Sequence, residues 1–175
     1  MKKVILKIGL FAIIAIGSVY AFNYFTLTKP VMAEVKADSR NDGIRFSLRY
    51  KYFVSTNDLI FDLRNVAFDK TKADVFRVLL QTASALKERD FQTVTLSYRG
   101  SPRFVLRGNY FKRLGQEYGI QNPIYTMRTF PENVYDLNGN RVFGRWTGGL
   151  FGVFERQMED FNSFHKKWYL NDMMR

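Results

Sequence analysis

Two stretches of the chain place basic side chains at positions of like parity: Arg45, Arg49 and Lys51 in one, Arg99, Arg103 and Arg107 in the other. A guanidinium presents paired donors in one plane, so several of them on a rigid surface suit phosphate or carboxylate recognition. The solvated face of an ordinary antiparallel sheet carries the same pattern. Arg145-Trp146-Thr147-Gly148-Gly149 is a second candidate, where free backbone N–H groups at a helix start, a glycine approach and a nearby arginine can hold an anion. No Gly-Lys-Ser or Gly-Lys-Thr follows, which excludes a phosphate-binding P-loop. A glycine-rich turn closing on a Thr147 cap has the same composition.

Other chemistry has little to work with. The chain has one histidine, His165, and no cysteine, so a zinc site of several imidazoles, thiolate catalysis and disulfides are excluded. Glu155 and Glu159 lie one helical turn apart, a spacing that serves a hard cation or an acid and base pair but is common on exposed helix faces. Asp62 and Arg64 share a strand face as an ion pair. No serine sits in a Gly-x-Ser-x-Gly context. We therefore expect no catalytic residues, no metal and no cofactor; the alternative is an envelope hydrolase or transferase using Glu155, Glu159, His165 or Asp62.

The basic residues need a sheet to hold them. Ile44, Phe46, Leu48, Tyr50, Tyr52 and Val54 alternate with Arg45, Ser47, Arg49 and Lys51, a period of two that predicts a strand. A turn at Ser55 to Asp58 leads to a second strand with Leu59, Phe61 and Leu63 inward. Thr71 and Asp74 form a capping box opening a helix over 71–89 with Phe76, Leu79, Leu80, Ala83 and Leu86 at helical spacing. Strands follow at 91–99 and 103–107, joined by Gly100, Ser101 and Pro102 so that Tyr98 faces Phe104 and Leu96 faces Leu106. A helix from an Asn109 cap to Gly119, an extended run from Ile124 to Phe130, and a hairpin at Asn138-Gly139 complete the middle. The hairpin places Tyr135 opposite Val142 and Asp136 opposite Arg141 as an ion pair. From Leu150 to Leu170 the stripe Phe151, Phe154, Met158, Phe161, His165 and Trp168 predicts a long amphipathic helix. The expected fold is α+β: an antiparallel sheet of about four to six strands, covered on one face by the helices at 71–89 and 149–170. With 17 Phe, 10 Tyr and 2 Trp, its core is built on large rings.

Everything after residue 28 is placed by what precedes it. Ile8 to Leu27 carries no charge between Lys7 and Lys29, and about twenty helical residues reach about 30 Å, the hydrocarbon thickness of a bilayer. Lys2, Lys3 and Lys7 put the N-terminus in the cytoplasm. Two outcomes share this start: a signal peptide cleaved after Val19-Tyr20-Ala21 or near Val31-Met32-Ala33, leaving a soluble periplasmic domain, or a retained single-pass inner-membrane anchor. The apolar run exceeds the usual signal core of about 7 to 15 residues, which favours retention. The division expected is an anchor at 1–28, a stalk at 29–42 with a short strand from Val31 to Ala37, and an exported domain at 43–175.

The formal charge is +11, and removing the five lysines and one glutamate of residues 1–37 leaves +7. A basic domain outside the cytosol points to an anionic lipid, an envelope polymer or an acidic protein as partner. Nucleic acid is disfavoured by export and by the lack of a recognition motif. The function expected from sequence is a bacterial, membrane-tethered envelope binding or accessory module that uses a basic sheet face.

Overall fold

The computed structural model describes residues 2–147 and 150–174. Its first element is a helix, α1 (Lys2–Asn23), which passes through a widened turn at Tyr24–Thr28 into α2 (Lys29–Lys36). Pro30 lacks an amide proton and costs the helix a hydrogen bond; the π-type turn immediately before it absorbs the fault. The short strand expected from Val31 to Ala37 is therefore corrected to helix, and Leu27, Val31 and Val35 are buried in the core. The ordered core begins in this helix and not at Gly43.

The fold is α+β, with a mixed five-stranded sheet in the order β1 (Ile44–Lys51), β2 (Ser55–Val66), β3 (Thr93–Tyr98), β4 (Ser101–Arg107) and β5 (Val134–Tyr135). The expectation of an antiparallel sheet fails at one place: β2 and β3 are parallel, Leu59 beside Val94 and Leu63 beside Tyr98. Their connection is the helix α3 (Lys72–Ala85), and a strand that returns through a helical crossover arrives parallel. The Thr71–Asp74 capping box that opens α3 is formed on both sides. Phe76 of α3 meets Phe161 of the last long helix, α6 (Leu150–His165), at 5.2 Å between ring centroids. Trp168, just beyond α6, meets Phe61 of β2 at 5.9 Å. Both helices thus pack on the Phe61 side of the sheet.

Turn chemistry moved several boundaries. The β1–β2 turn falls at Tyr52 and Phe53, both with positive φ, and not at Ser55–Asp58, so Tyr52 and Val54 leave the core side and are exposed. Between β3 and β4 the turn is Arg99-Gly100, again with positive φ, and a bulge opposite Ser97 restores the shared apolar face by pairing Leu96 with Phe104 and Val94 with Leu106. After α4 (Gly108–Glu117), the run expected to be extended is helix α5 (Pro123–Thr129). Asn122 caps it by accepting from the Ile124 amide and Pro123 takes its first turn, a helix-start pair that outweighs the bias of Phe130 before Pro131. In the last helix Phe154 is exposed and Phe164 is buried; beyond it the widened turn at Lys166–Leu170 brings Tyr169 inward beside Trp168.

Asn23 ties the apolar helix to this sheet. Its amide nitrogen donates to the Phe53 carbonyl (2.8 Å) and its oxygen accepts from the Tyr50 amide (2.8 Å), and the side chain is buried. Asn23→Leu orphans both backbone groups, each worth about 1–3 kcal/mol when left unsatisfied. We expect a loss of roughly 2 kcal/mol in denaturant unfolding of the detergent-solubilised chain; an unchanged midpoint would mean water replaces the side chain.

Candidate arginine-lined anion site

β4 runs out at Arg107 and the chain turns at once into α4, which puts Arg107, Asn109, Tyr110 and Arg113 around one corner. Gly108 makes the corner possible: a Cβ there would sit 1.7 Å from the Phe91 carbonyl oxygen. The helix start has no side-chain cap; the Gly108 amide is taken by the Gln92 carbonyl (2.8 Å), and the dipole of the helix adds positive potential to the corner.

The opposite wall comes from Asn133, Tyr135, Arg141 and Arg145. The Asn138-Gly139 turn that positions Arg141 is held by Asp136, whose carboxylate accepts from the Asn140 amide (2.8 Å) and the Asn138 amide (2.9 Å). Those donors keep Asp136 below the usual carboxylate range. The register expected at this turn is corrected: Tyr135 bridges to Arg141, and Asp136 spends its charge on the turn amides instead of an Arg141 ion pair. Arg141 donates to the Glu132 carbonyl. Arg145 is carried by a segment that docks on α6, where the Trp146 indole donates to Asp160 (2.7 Å) and Arg156 lies 4.7 Å over the Trp146 ring.

Three of the four guanidinium groups lie against tyrosine rings. Arg107 and Arg141 lie 4.8 Å and 5.2 Å from the Tyr135 centroid, and Arg113 5.1 Å from that of Tyr110. Cation–π contact of this kind orients a guanidinium without consuming its N–H donors. Burial raises the Tyr110 hydroxyl above its ordinary value, so it stays protonated. The cavity measures about 220 Å³, and no Asp or Glu lines it. Among the described residues none of the four arginines makes an ion pair. A second cleft of about 280 Å³ shares Tyr110, Arg113, Asn133 and Arg145 and adds Glu117 and Glu132; Glu132 already accepts from Gln157 at 2.7 Å. Donors without a nucleophile can bind and orient an anion.

No family model, curated protein or solved structure matches the chain.

The structure divides the basic residues read from sequence. Arg45, Arg49 and Lys51 lie on β1, which β2 and β3 separate from β4, about 14 Å at the usual strand spacing. Arg99 sits in the β3–β4 turn over the Tyr98 ring. Arg103, at the bulge, pairs with Asp172. Only Arg107 and Arg145 come together, joined by Arg113 and Arg141. Thr147 is exposed, and Gly148 and Gly149 lie outside the described residues. Arg113 follows Tyr110 by one helical turn, a spacing visible in sequence only once α4 is known to abut Arg107.

The polar groups named for hydrolysis stay apart. Asp62 is buried, bound to Arg64 (2.8 Å) and to the Gly100 amide (3.0 Å). Glu155 and Glu159 are exposed on α6. His165 is fully buried among rings. Among the described residues no three His, Asp or Glu side chains cluster as for a metal ion.

Proposed function

We propose that this protein is a single-pass, inner-membrane-tethered binding or accessory module of a bacterial envelope, with its domain on the periplasmic side and an anion-binding site at Arg107, Arg113, Arg141 and Arg145. The carrying observation is the convergence of four guanidinium groups on a cavity lined by no carboxylate. Like charges repel when they share a small space, and an anionic group between them replaces that repulsion with charge-assisted hydrogen bonds. Phosphoryl and carboxylate groups fit these donors, whether presented by a lipid headgroup, an envelope polymer or an acidic protein. The tether is supported by a helix, Lys7–Lys36, long and apolar enough to cross a bilayer.

Pyrophosphate titrated calorimetrically into the full chain in neutral detergent tests the site. Each hydrogen bond to a charged group contributes roughly 1.5–3 kcal/mol, so Arg107→Ala with Arg145→Ala is expected to weaken binding by about 100-fold or more. Arg45→Ala with Arg49→Ala leaves it unchanged. Equal loss in both pairs would assign the affinity to diffuse charge. A reporter active only in the cytoplasm, fused after Arg175, tests the compartment, and its activity would refute the periplasmic assignment.

A further inference from the structure

The apolar helix lies on the domain along part of its length and leaves it at a definite place. Val35 lies near Asn41, whose amide donates to the Val35 carbonyl at 2.8 Å, just before β1 begins. Asn23 is bonded to the last residues of β1 and the turn after it. The helix therefore runs antiparallel to β1: Phe22 stacks on Tyr50 at 5.6 Å, Ile16 to Tyr20 lie against the β1–β2 turn, and Ile8 to Ile14 project beyond it, exposed.

That turn is built against local preference. Tyr52 and Phe53 hold φ of 54° and 65°, a left-handed conformation that hairpins usually give to Asn and Gly and that strains bulky residues. It displays apolar surface in return: Tyr52 is 76% exposed and Val54 64%. Phe53 rests on Tyr20 of the helix, with 5.2 Å between ring centroids. Tyr52, Phe53 and Val54 form an apolar cleft with Ile16, Val19 and Tyr20. Cations flank it, with the Lys51 ammonium 5.5 Å from the Tyr52 ring and the Arg49 guanidinium 5.2 Å from that of Phe53.

Length decides what covers this surface. From Lys7 to Asn23 the helix rises about 24 Å, less than the roughly 30 Å of a bilayer's hydrocarbon layer. A helix anchored by Lys7 on one side and fixed by Asn23 to the turn on the other draws the turn to the lipid surface. Aromatic rings beside cations are the side chains that settle there, the rings at headgroup level and the charges on anionic phosphates. We infer that the β1–β2 turn, through Tyr52, Phe53 and Val54 with Arg49 and Lys51, is a second membrane contact that seats in the interfacial layer of an anionic bilayer and fixes the domain's tilt. This rests on the proposed tether.

The chain has no cysteine, so single-cysteine spin labels report without background. Phe11→Cys, Tyr52→Cys, Val54→Cys and Ile120→Cys are placed in the full chain in vesicles of phosphatidylcholine and phosphatidylglycerol. Collision with dissolved oxygen and with a water-soluble nickel chelate then gives depth. Ile120, 85% exposed on the domain, is the aqueous reference and Phe11 the reference within the span. The inference expects the labels at 52 and 54 to collide with the chelate several-fold less often than the label at 120, and more often than the label at 11. Labels at 52 and 54 as aqueous as that at 120, with position 11 shielded, would overturn the turn contact and leave the tether standing. A label at position 11 open to the chelate would overturn both.

Discussion

Gly115→Ala is expected to cost about 3 kcal/mol or more, the upper end of what overpacking a close contact costs. The residue lies in α4, where that helix crosses α3 with nothing but backbone between them. A Cβ at Gly115 would stand 2.2 Å from the Ala83 carbonyl oxygen and 2.5 Å from its carbon. Neither atom belongs to a side chain that can rotate away, so the helices must part. Leu114 on one side and Leu79 and Ala83 on the other would lose packing as they do. Gly152→Ala in α6 is the control, because a Cβ there meets nothing within 4 Å and gains up to about 1 kcal/mol of helix propensity. Denaturant midpoints of the two variants should move in opposite directions. Because α4 also carries Tyr110 and Arg113, the Gly115 variant should weaken pyrophosphate binding beyond its effect on stability; full affinity in a destabilised protein would detach the arginine site from that crossing.

Period was more legible in the sequence than register. The alternation of Ile44, Phe46, Leu48 and Tyr50 with basic residues placed those four on the core side, where all are buried. The Thr71–Asp74 box opened its helix at the expected residue. What alternation does not contain is which strand lies beside which, and so the expected single basic face divides between β1 and β4, which two strands separate. Turns misled for a related reason. Asn and Asp at 57 and 58 look like turn residues, but the reversal is at Tyr52-Phe53 because the helix side chain of Asn23 captures that backbone. A bond across 30 residues leaves no local trace in composition. The arginine site was half visible: Arg107 and Arg145 stood in suggestive places, whereas Arg113 and Arg141 acquire meaning only when the β4–α4 corner and the Asn138-Gly139 turn face each other.

His165 gives the second large effect, and it appears as a dependence of stability on pH. The ring is fully buried, with Phe161, Phe164 and Tyr169 rings at 4.6, 5.0 and 5.6 Å. Among the described residues neither ring nitrogen has a hydrogen-bond partner. Burial, reinforced by the positive charge of Lys72, brings its pKa down from 6.5 to about 3. Between those two values the unfolded chain binds a proton that the folded chain refuses, so acidification favours unfolding. Stability from this group is complete above about 6.5 and falls as pH drops toward 3, by about 2 kcal/mol at pH 5 on the usual 1.36 kcal/mol per unit. His165→Phe removes the proton acceptor and two unsatisfied polar atoms. It should be more stable than the parent at pH 7 by about 1 kcal/mol, and nearly level between pH 7 and pH 5, where the parent declines. Urea midpoints at the two pH values check both statements; a parent whose midpoint stays level from pH 7 to pH 5 would mean that His165 is hydrated or protonated in the folded chain. A histidine that refuses protons above about 3 inside a box of rings is a poor general acid or base at neutral pH. The same phenylalanine variant should therefore keep the pyrophosphate affinity of the parent, which separates a packing role for this ring from the chemistry of the arginines.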